Sequence, residues 1–241
     1  MSIPLDPVPV PDAVRTLAQG AALDAVWRNS LGGVTFRTGD GRYIKWGMRH
    51  PEFDVAAEAE RLAWAGRFTP VPRVLQAGGD DTHAWLVTAA IDGRSAVDPR
   101  WIADPEKAVR AVGHGLRALH DELPVDACPF SWGVEQRIED AAARGIRVPN
   151  ALRTAPPIDT LVVCHGDACC PNTLLDDDGE PVAHVDLGSL GVADRWADLA
   201  AATMSTVWNY GFGWEDALLD AYGVAPDREL LTYYQDLWNA T

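Results

Sequence analysis

The apolar residues of this chain change their period once, near residue 90, and that change limits the folds open to it. Before it, short β-type runs at Ala25–Arg28, Val34–Arg37 and Tyr43–Trp46 are cut by SLGG and TGDG, which are turn chemistry. One helical pattern intervenes from Asp54 to Ala65, with Val55, Leu62 and Ala63 apolar and Glu58, Glu60 and Arg61 polar. Arg73–Gln76 and Trp85–Thr88 then read as strands on either side of AGGDDTH. After Ile91-Asp92-Gly93 the character is mostly helical. Val109, Val112, Leu116 and Leu119 step by three, four and three, one face of an amphipathic helix. Glu135–Arg144, Arg195–Trp208, Trp214–Tyr222 and Asp227–Trp238 read the same way. Between them only Leu161–Val163, Thr173–Leu175 and Val182–Val185 remain, too short for helices and suited to small hairpins. The expectation is an α+β chain of two lobes, a small antiparallel sheet with one helix over residues 1–90 and a mainly helical lobe over 91–241. A cleft between lobes is where a ligand is expected.

A hydrophobic content of 47% with 23% charged residues excludes disordered and fibrous classes. The formal charge of −15 argues against a nucleic-acid backbone or an anionic membrane as partner and favours a cationic ligand. Acidity for solubility alone is the competing reading. No apolar run approaches a membrane span, and MSIPLDPVPVPDAV has neither the basic nor the apolar region of a signal peptide. That segment reads as an extended, Pro-rich lead-in, and a cytoplasmic location is expected. Cys128, Cys164, Cys169 and Cys170 form no CxxC pair, so buried reduced thiols fit better than disulfides or a zinc site around His165.

Chemistry concentrates in CHGDACCPNTLLDDDGEPVAHVDLG, Cys164 to Gly188, which sets Asp167, Asn172 and Asp186 on polar turns among VV, TLL and VAHV. A carboxamide and a carboxylate supply hard oxygen ligands for Mg²⁺, which usually shares its shell with phosphate oxygens. The other carboxylate, Asp167, is then placed to orient or deprotonate a hydroxyl, as phosphoryl transfer requires. Asx residues that merely make turns are the alternative. Such a site also needs an early-strand lysine held by a helix carboxylate, and Lys45 in RYIKW with Glu58 in the next helix match that need. A lysine snorkelling from a strand edge is the alternative there. The loop Asn29-Ser30-Leu31-Gly32-Gly33 has backbone N–H groups that could close over phosphates, with Ser30, Gly32 and Gly33 as its candidates. The chain has no GxxxxGK[ST], no GxSxG and no GxGxxG opening a βαβ unit, which removes P-loop, nucleophile-elbow and dinucleotide sites.

These residues resemble the aminoglycoside phosphotransferases, and within them the 3′-phosphotransferase branch. HGDACCPN is similar to the branch's HGDACLPN loop, and HVDLGSLGVADRWADLA to its IDxGRLGVADRYxDIA segment. AEAERLAWAG, LRALHDELPVDACPF and AYGVAPDRELLTYY are similar to its early, middle and final helical stretches, so the likeness runs from Val26 onward. The resemblance implies a two-lobed, protein-kinase-like fold with a nucleotide-binding N-terminal lobe. It implies transfer of the γ-phosphoryl group of ATP or GTP, with Mg²⁺, to a hydroxyl of a small cationic molecule, an aminoglycoside first. Asp167 would be the catalytic carboxylate, and Asn172 and Asp186 the metal ligands. Lys45 would contact phosphates, Glu58 would pair with Lys45, and backbone groups at Ala89–Ile91 would meet the adenine. His165 would brace the loop, and Asp198 would tie it to the helix beneath.

The departures fall where an acceptor would bind. Ser189 replaces an Arg after DxG, Met204-Ser205 replaces an Arg-Asp pair, and Trp238-Asn239-Ala240-Thr241 replaces an acidic pair with two aromatics. The stretch from Phe130 to Leu161 is also shorter. Ser189, Trp238, Asn239 and the Thr241 carboxylate are the acceptor-site candidates beside Asp167. The same chemistry on a non-aminoglycoside hydroxyl compound therefore stays open, as does a non-catalytic nucleotide-binding role. Little chain after Gly188 could serve as an activation loop and no APE-type segment occurs, which argues against protein substrates.

Overall fold

Alternation of apolar and polar residues draws five strands into one antiparallel sheet. In a computed structural model that describes Pro4 and residues 6–241, these are β1 (Leu23–Arg28), β2 (Val34–Thr38), β3 (Arg42–Met48), β4 (Val74–Gly79) and β5 (His83–Ala89), in the order β1-β2-β3-β5-β4. Phe36 stands opposite Ile44, and Ile44 opposite Val87. Their side chains share one face, which is sealed by Val14 and Ala18 of α1 (Asp12–Ala18). Lys45, next along β3, is thereby turned to the opposite face. There α2 (Val55–Ala65) buries Val55, Glu58, Leu62, Trp64 and Ala65, and its first turn is capped by the Asp54 carboxylate, which accepts the N–H groups of Ala56 and Ala57.

The extended lead-in expected over 1–14 lies partly outside the described residues, at 1–3 and 5. From Asp12 the expectation is corrected, because the chain is helical there. Two apolar residues spaced by four are too faint a pattern to show as a helix beside three prolines, and packing on the sheet supplies the stabilisation that propensity does not.

The described residues through Arg67 and Val71–Ile91 make one compact unit, and Phe68–Pro70 with Asp92–Thr241 make a second. The second unit is built on α4 (Pro105–Glu122), preceded by β6 (Arg94–Ser95) and α3 (Pro99–Ile102) and followed by α5 (Val134–Ala143). α4 buries Val109, Val112, Leu116 and Leu119 along the stripe read from the sequence. Then come β7 (Leu161–Cys164), β8 (Thr173–Leu175), β9 (Pro181–His184) and β10 (Gly191–Asp194). Helices α6 (Trp196–Tyr210), α7 (Glu215–Tyr222) and α8 (Arg228–Ala240) complete it. β8 and β9 form the expected hairpin, with β6 added at its edge. β7 does not join a hairpin. It pairs antiparallel with β10, Cys164 opposite Gly191, so the chain after the DxG turn returns to the strand that leads into the Asp167 loop. Among the described residues no helix is long and apolar enough to cross a membrane.

Candidate active site

The loop leaving β7 is fixed before any of its polar side chains is considered. Gly166 has φ +84°, a left-handed conformation that favours glycine, and a Cβ there would strike the Ser189 backbone. The start of the loop and the DxG turn therefore lie against each other. Asp198, fully buried in the first turn of α6, accepts the N–H groups of His165 at 2.6 Å and Gly166 at 2.9 Å, and the His120 Nε2 at 3.0 Å. Burial alone would raise its pKa. The His120 hydrogen bond and charge outweigh that, and its carboxyl is held below the usual range. His120 also meets the Tyr222 hydroxyl at 2.8 Å through Nδ1, so α4, α6 and α7 all bear on the loop.

Asp167, Asn172 and Asp186 come together through one strand end. His165 Nε2 lies 3.0 Å from the Val185 carbonyl, and the Val185 N–H donates to the Asn172 carbonyl at 2.9 Å. Asp186, the next residue, is held at φ +64°, a left-handed conformation that few residues other than glycine adopt. Asn172 donates its side-chain N–H to the Asp167 carbonyl at 2.9 Å, and its amide oxygen remains as an acceptor. Asp167 Oδ1 is buried and accepts no hydrogen bond. Burial, and next the Asp186 charge, push the Asp167 carboxyl above its ordinary value, against hydrogen bonding from Cys169 and Asn172. Two carboxylates that repel each other beside an amide oxygen are hard donors, and their repulsion is what a divalent cation would relieve. That donor set fits Mg²⁺.

Apart from Asp198, the imidazole and the thiols packed behind this loop are held neutral by burial. His184 stacks edge-on to His165 at 5.6 Å, and burial first, then the His165 charge, lower its pKa to about 3. Burial also raises the thiols of Cys164 and Cys169, and that of Cys170 to about 12, so the cysteines here carry protons rather than charge.

In the first unit Lys45 Nζ donates to both Glu58 carboxylate oxygens at 2.8 Å, so the pair expected from RYIKW and the following helix is formed. The loop of Ser30, Gly32 and Gly33 is organised by Asn29. Its Oδ1 accepts the Leu31 and Gly33 N–H groups at 3.1 and 2.7 Å, and its carbonyl accepts the Gly32 N–H. Those donors, expected to face phosphate, are engaged within the loop. The Ala89 and Ala90 N–H groups are likewise donated, to the Arg73 and Gly41 carbonyls. Ile91 follows them, half-buried.

The acceptor-site candidates have these surroundings within the chain. The Trp238 ring lies 5.9 Å from the buried guanidinium of Arg137, which also sits 5.1 Å from the Trp132 ring. Thr241 accepts from Arg137 at its hydroxyl, 3.0 Å, and from Arg144 at its carbonyl oxygen. Ser205 is fully buried beneath the loop, whereas Met204, its neighbour around the helix, is half-exposed. Asn239 is exposed and Ser189 half-buried. Sequence analysis does not single out His120, Arg137 or Trp208. His120 falls on the apolar stripe of α4 four residues after Leu116, the one signal that marks it.

Residues 133–234 match the model of the phosphotransferase enzyme family. The chain is 39% identical to an aminoglycoside 3′-phosphotransferase of Streptomyces fradiae, covering 80% of this chain and 83% of that one. It is 36% identical to a streptomycin 3″-kinase of Streptomyces griseus, over 95% of this chain and 96% of the other. Among solved structures it is similar to the aminoglycoside phosphotransferase APH(3″)-Id of Streptomyces rimosus ATCC10970 in complex with ADP and streptomycin. The TM-score is 0.69 at 27% identity, over 95% of this chain and 98% of that one. The α+β fold is accordingly the kinase-like one of these phosphotransferases. On these likenesses, with the Asp167, Asn172 and Asp186 loop in place, the chain belongs to the aminoglycoside phosphotransferase family.

Proposed function

We propose that this protein transfers the γ-phosphoryl group of ATP to a hydroxyl of an aminoglycoside. The observation that carries the reading is the buried, unpartnered Oδ1 of Asp167, in the loop it shares with Asn172 and beside Asp186. A carboxylate oxygen left without a donor is the acceptor that an incoming hydroxyl needs, and Asp167 orients that hydroxyl and takes up its proton as the bond to phosphorus forms. Asn172 and Asp186 would hold Mg²⁺, which supplies charge neutralisation for the transferred group. Lys45, kept extended by Glu58, contacts the nucleotide phosphates. Because the N–H groups of Ala89 and Ala90 are already donated, the N–H of Ile91 and the carbonyls of this segment are the groups left for a purine, adenine or guanine. In the loop of Ser30, Gly32 and Gly33, the two glycine N–H groups reach phosphate only by exchanging their bonds to Asn29. ATP as donor places the work in the cytoplasm.

The acidity of the chain, −15, suits a polycationic acceptor. A second reading, a hydroxylated acceptor with an apolar face, is favoured by Met204 and Trp208. They stand four residues apart on one face of α6, and Trp208 is 58% exposed. Both readings are tested by incubating the purified protein with Mg-ATP and a panel of aminoglycosides and unrelated hydroxylated antibiotics, with mass detection of phosphorylated product. Turnover of an aminoglycoside supports the first. Turnover confined to other compounds supports the second. The Asp167→Ala variant should still bind nucleotide in a titration while its turnover falls by about 10²- to 10⁴-fold. An undiminished rate in that variant removes Asp167 from the role given to it.

A further inference from the structure

We propose that Ser205 is a positioning residue for the turn that carries Asp167 and Asn172; the proposal rests on the phosphotransfer reading above. Three clamps hold this loop. At its start Asp198 takes the N–H groups of His165 and Gly166. At its end the Asn172 carbonyl accepts the Val185 N–H at 2.9 Å, and the Pro171 carbonyl accepts the Ser95 hydroxyl at 2.8 Å. Midway, the Cys170 N–H points down into α6 and donates to Ser205 Oγ at 2.9 Å.

Ser205 is fully buried, and its hydroxyl is itself held. Asn209, one turn on, donates its Nδ2 to Ser205 Oγ at 3.1 Å and to the Ser205 carbonyl at 2.8 Å. An oxygen that accepts two N–H bonds has both lone pairs in use, so the hydroxyl proton is left to donate. Asn209, Ser205 and the Cys170 N–H thus form one connected set of hydrogen bonds beneath the turn. Within the turn, Asn172 donates its N–H to the Cys169 carbonyl at 2.9 Å and its side chain to the Asp167 carbonyl. Displacing Cys170 therefore displaces both functional side chains. Loss of the Ser205 hydroxyl strands a buried N–H, and the turn must shift or admit water to satisfy it.

The test compares Ser205→Ala, Asn209→Ala and the double variant with the parent on whichever acceptor the parent phosphorylates, with the folded fraction measured for each. Ser205→Ala should lower kcat by about 10- to 100-fold, the effect of a small misplacement of reacting groups. The nucleotide KM should change less, because Lys45 and Glu58 are untouched. Asn209→Ala should give a smaller loss, and the double variant should be no worse than Ser205→Ala, since Asn209 acts through Ser205. A role in stability alone would lower Tm while leaving kcat per folded molecule at the parent value, and that result overturns the proposal. If the parent phosphorylates no acceptor, the functional reading has failed, and hydrogen exchange of the Cys170 amide decides the brace by itself. Protection present in the parent and lost in Ser205→Ala supports the brace. Equal protection in both overturns it.

Discussion

Asp167 keeps one carboxylate oxygen out of water with nothing to bond to, and it does so next to a second carboxylate. Both circumstances favour the protonated acid, so the charged form that the proposed role requires is the form the site disfavours. The sign of the resulting pH dependence follows. The group is ionised, and turnover fully present, above its raised pKa, and turnover is lost as pH falls through that value. The acid limb of a kcat/KM profile should therefore have its midpoint above 3.8, the ordinary value for this carboxyl. A limb at or below 3.8 would show that the Asp167 surroundings do not penalise its charge. At this scale the sequence was most readable where chemistry is local. Asp167, Asn172 and Asp186 lie within twenty residues on turns, and Lys45 and Glu58 are separated by one turn of chain and part of a helix. Asp198 was ambiguous, because a carboxylate in a first helical turn serves equally well as a solvated face. Its burial and its partner His120, 78 residues away, decide the matter and leave no short-range trace. The contacts of Trp238 and Thr241 with Arg137, a hundred residues earlier, leave no short-range trace either.

Among the elements, the helices were legible because their stripes are long. The eighteen residues of α4 repeat the apolar step often enough to be unmistakable. The seven residues of α1 do not, and the two-residue β6 has no period at all. β10 was unreadable for another reason: GVAD follows a turn and precedes a helix, and only its partner β7, thirty residues back, makes it a strand. Helix α4 also shows packing overruling propensity. A Cβ on Gly113 would lie 2.6 Å from the Leu218 carbonyl and 2.9 Å from the Ala221 side chain, so α7 approaches through the gap that glycine leaves. Alanine at 113 gains about 1 kcal/mol in helix propensity. Forcing a methyl into a closed contact costs about 1–3 kcal/mol, the more so here because one obstacle is backbone. Gly113→Ala should therefore be net destabilising by up to about 2 kcal/mol in urea unfolding. A stabilised variant would mean that α7 yields readily.

For the molecule as a whole, charge is the property with a measurable consequence. A chain at −15 draws cations through a field that salt screens over about 8–10 Å. The KM of a polycationic acceptor should rise steadily with added salt, and that of a neutral hydroxylated acceptor should not. A salt-independent KM for the cationic compound would remove the field from acceptor capture and leave the charge as a matter of solubility. Asp198 has a different consequence, one for motion. Its single carboxylate is shared by the peptide groups that open the reacting loop and by an imidazole from α4, all out of reach of water. Letting the loop swing away would abandon an anion in an apolar interior, so no partial excursion is cheap. Deuterium should enter at His165 and Gly166 only when the entire second unit melts, with the same urea dependence as global denaturation. The reacting loop then has no breathing mode of its own, and whatever flexing admits an acceptor must occur elsewhere in the chain.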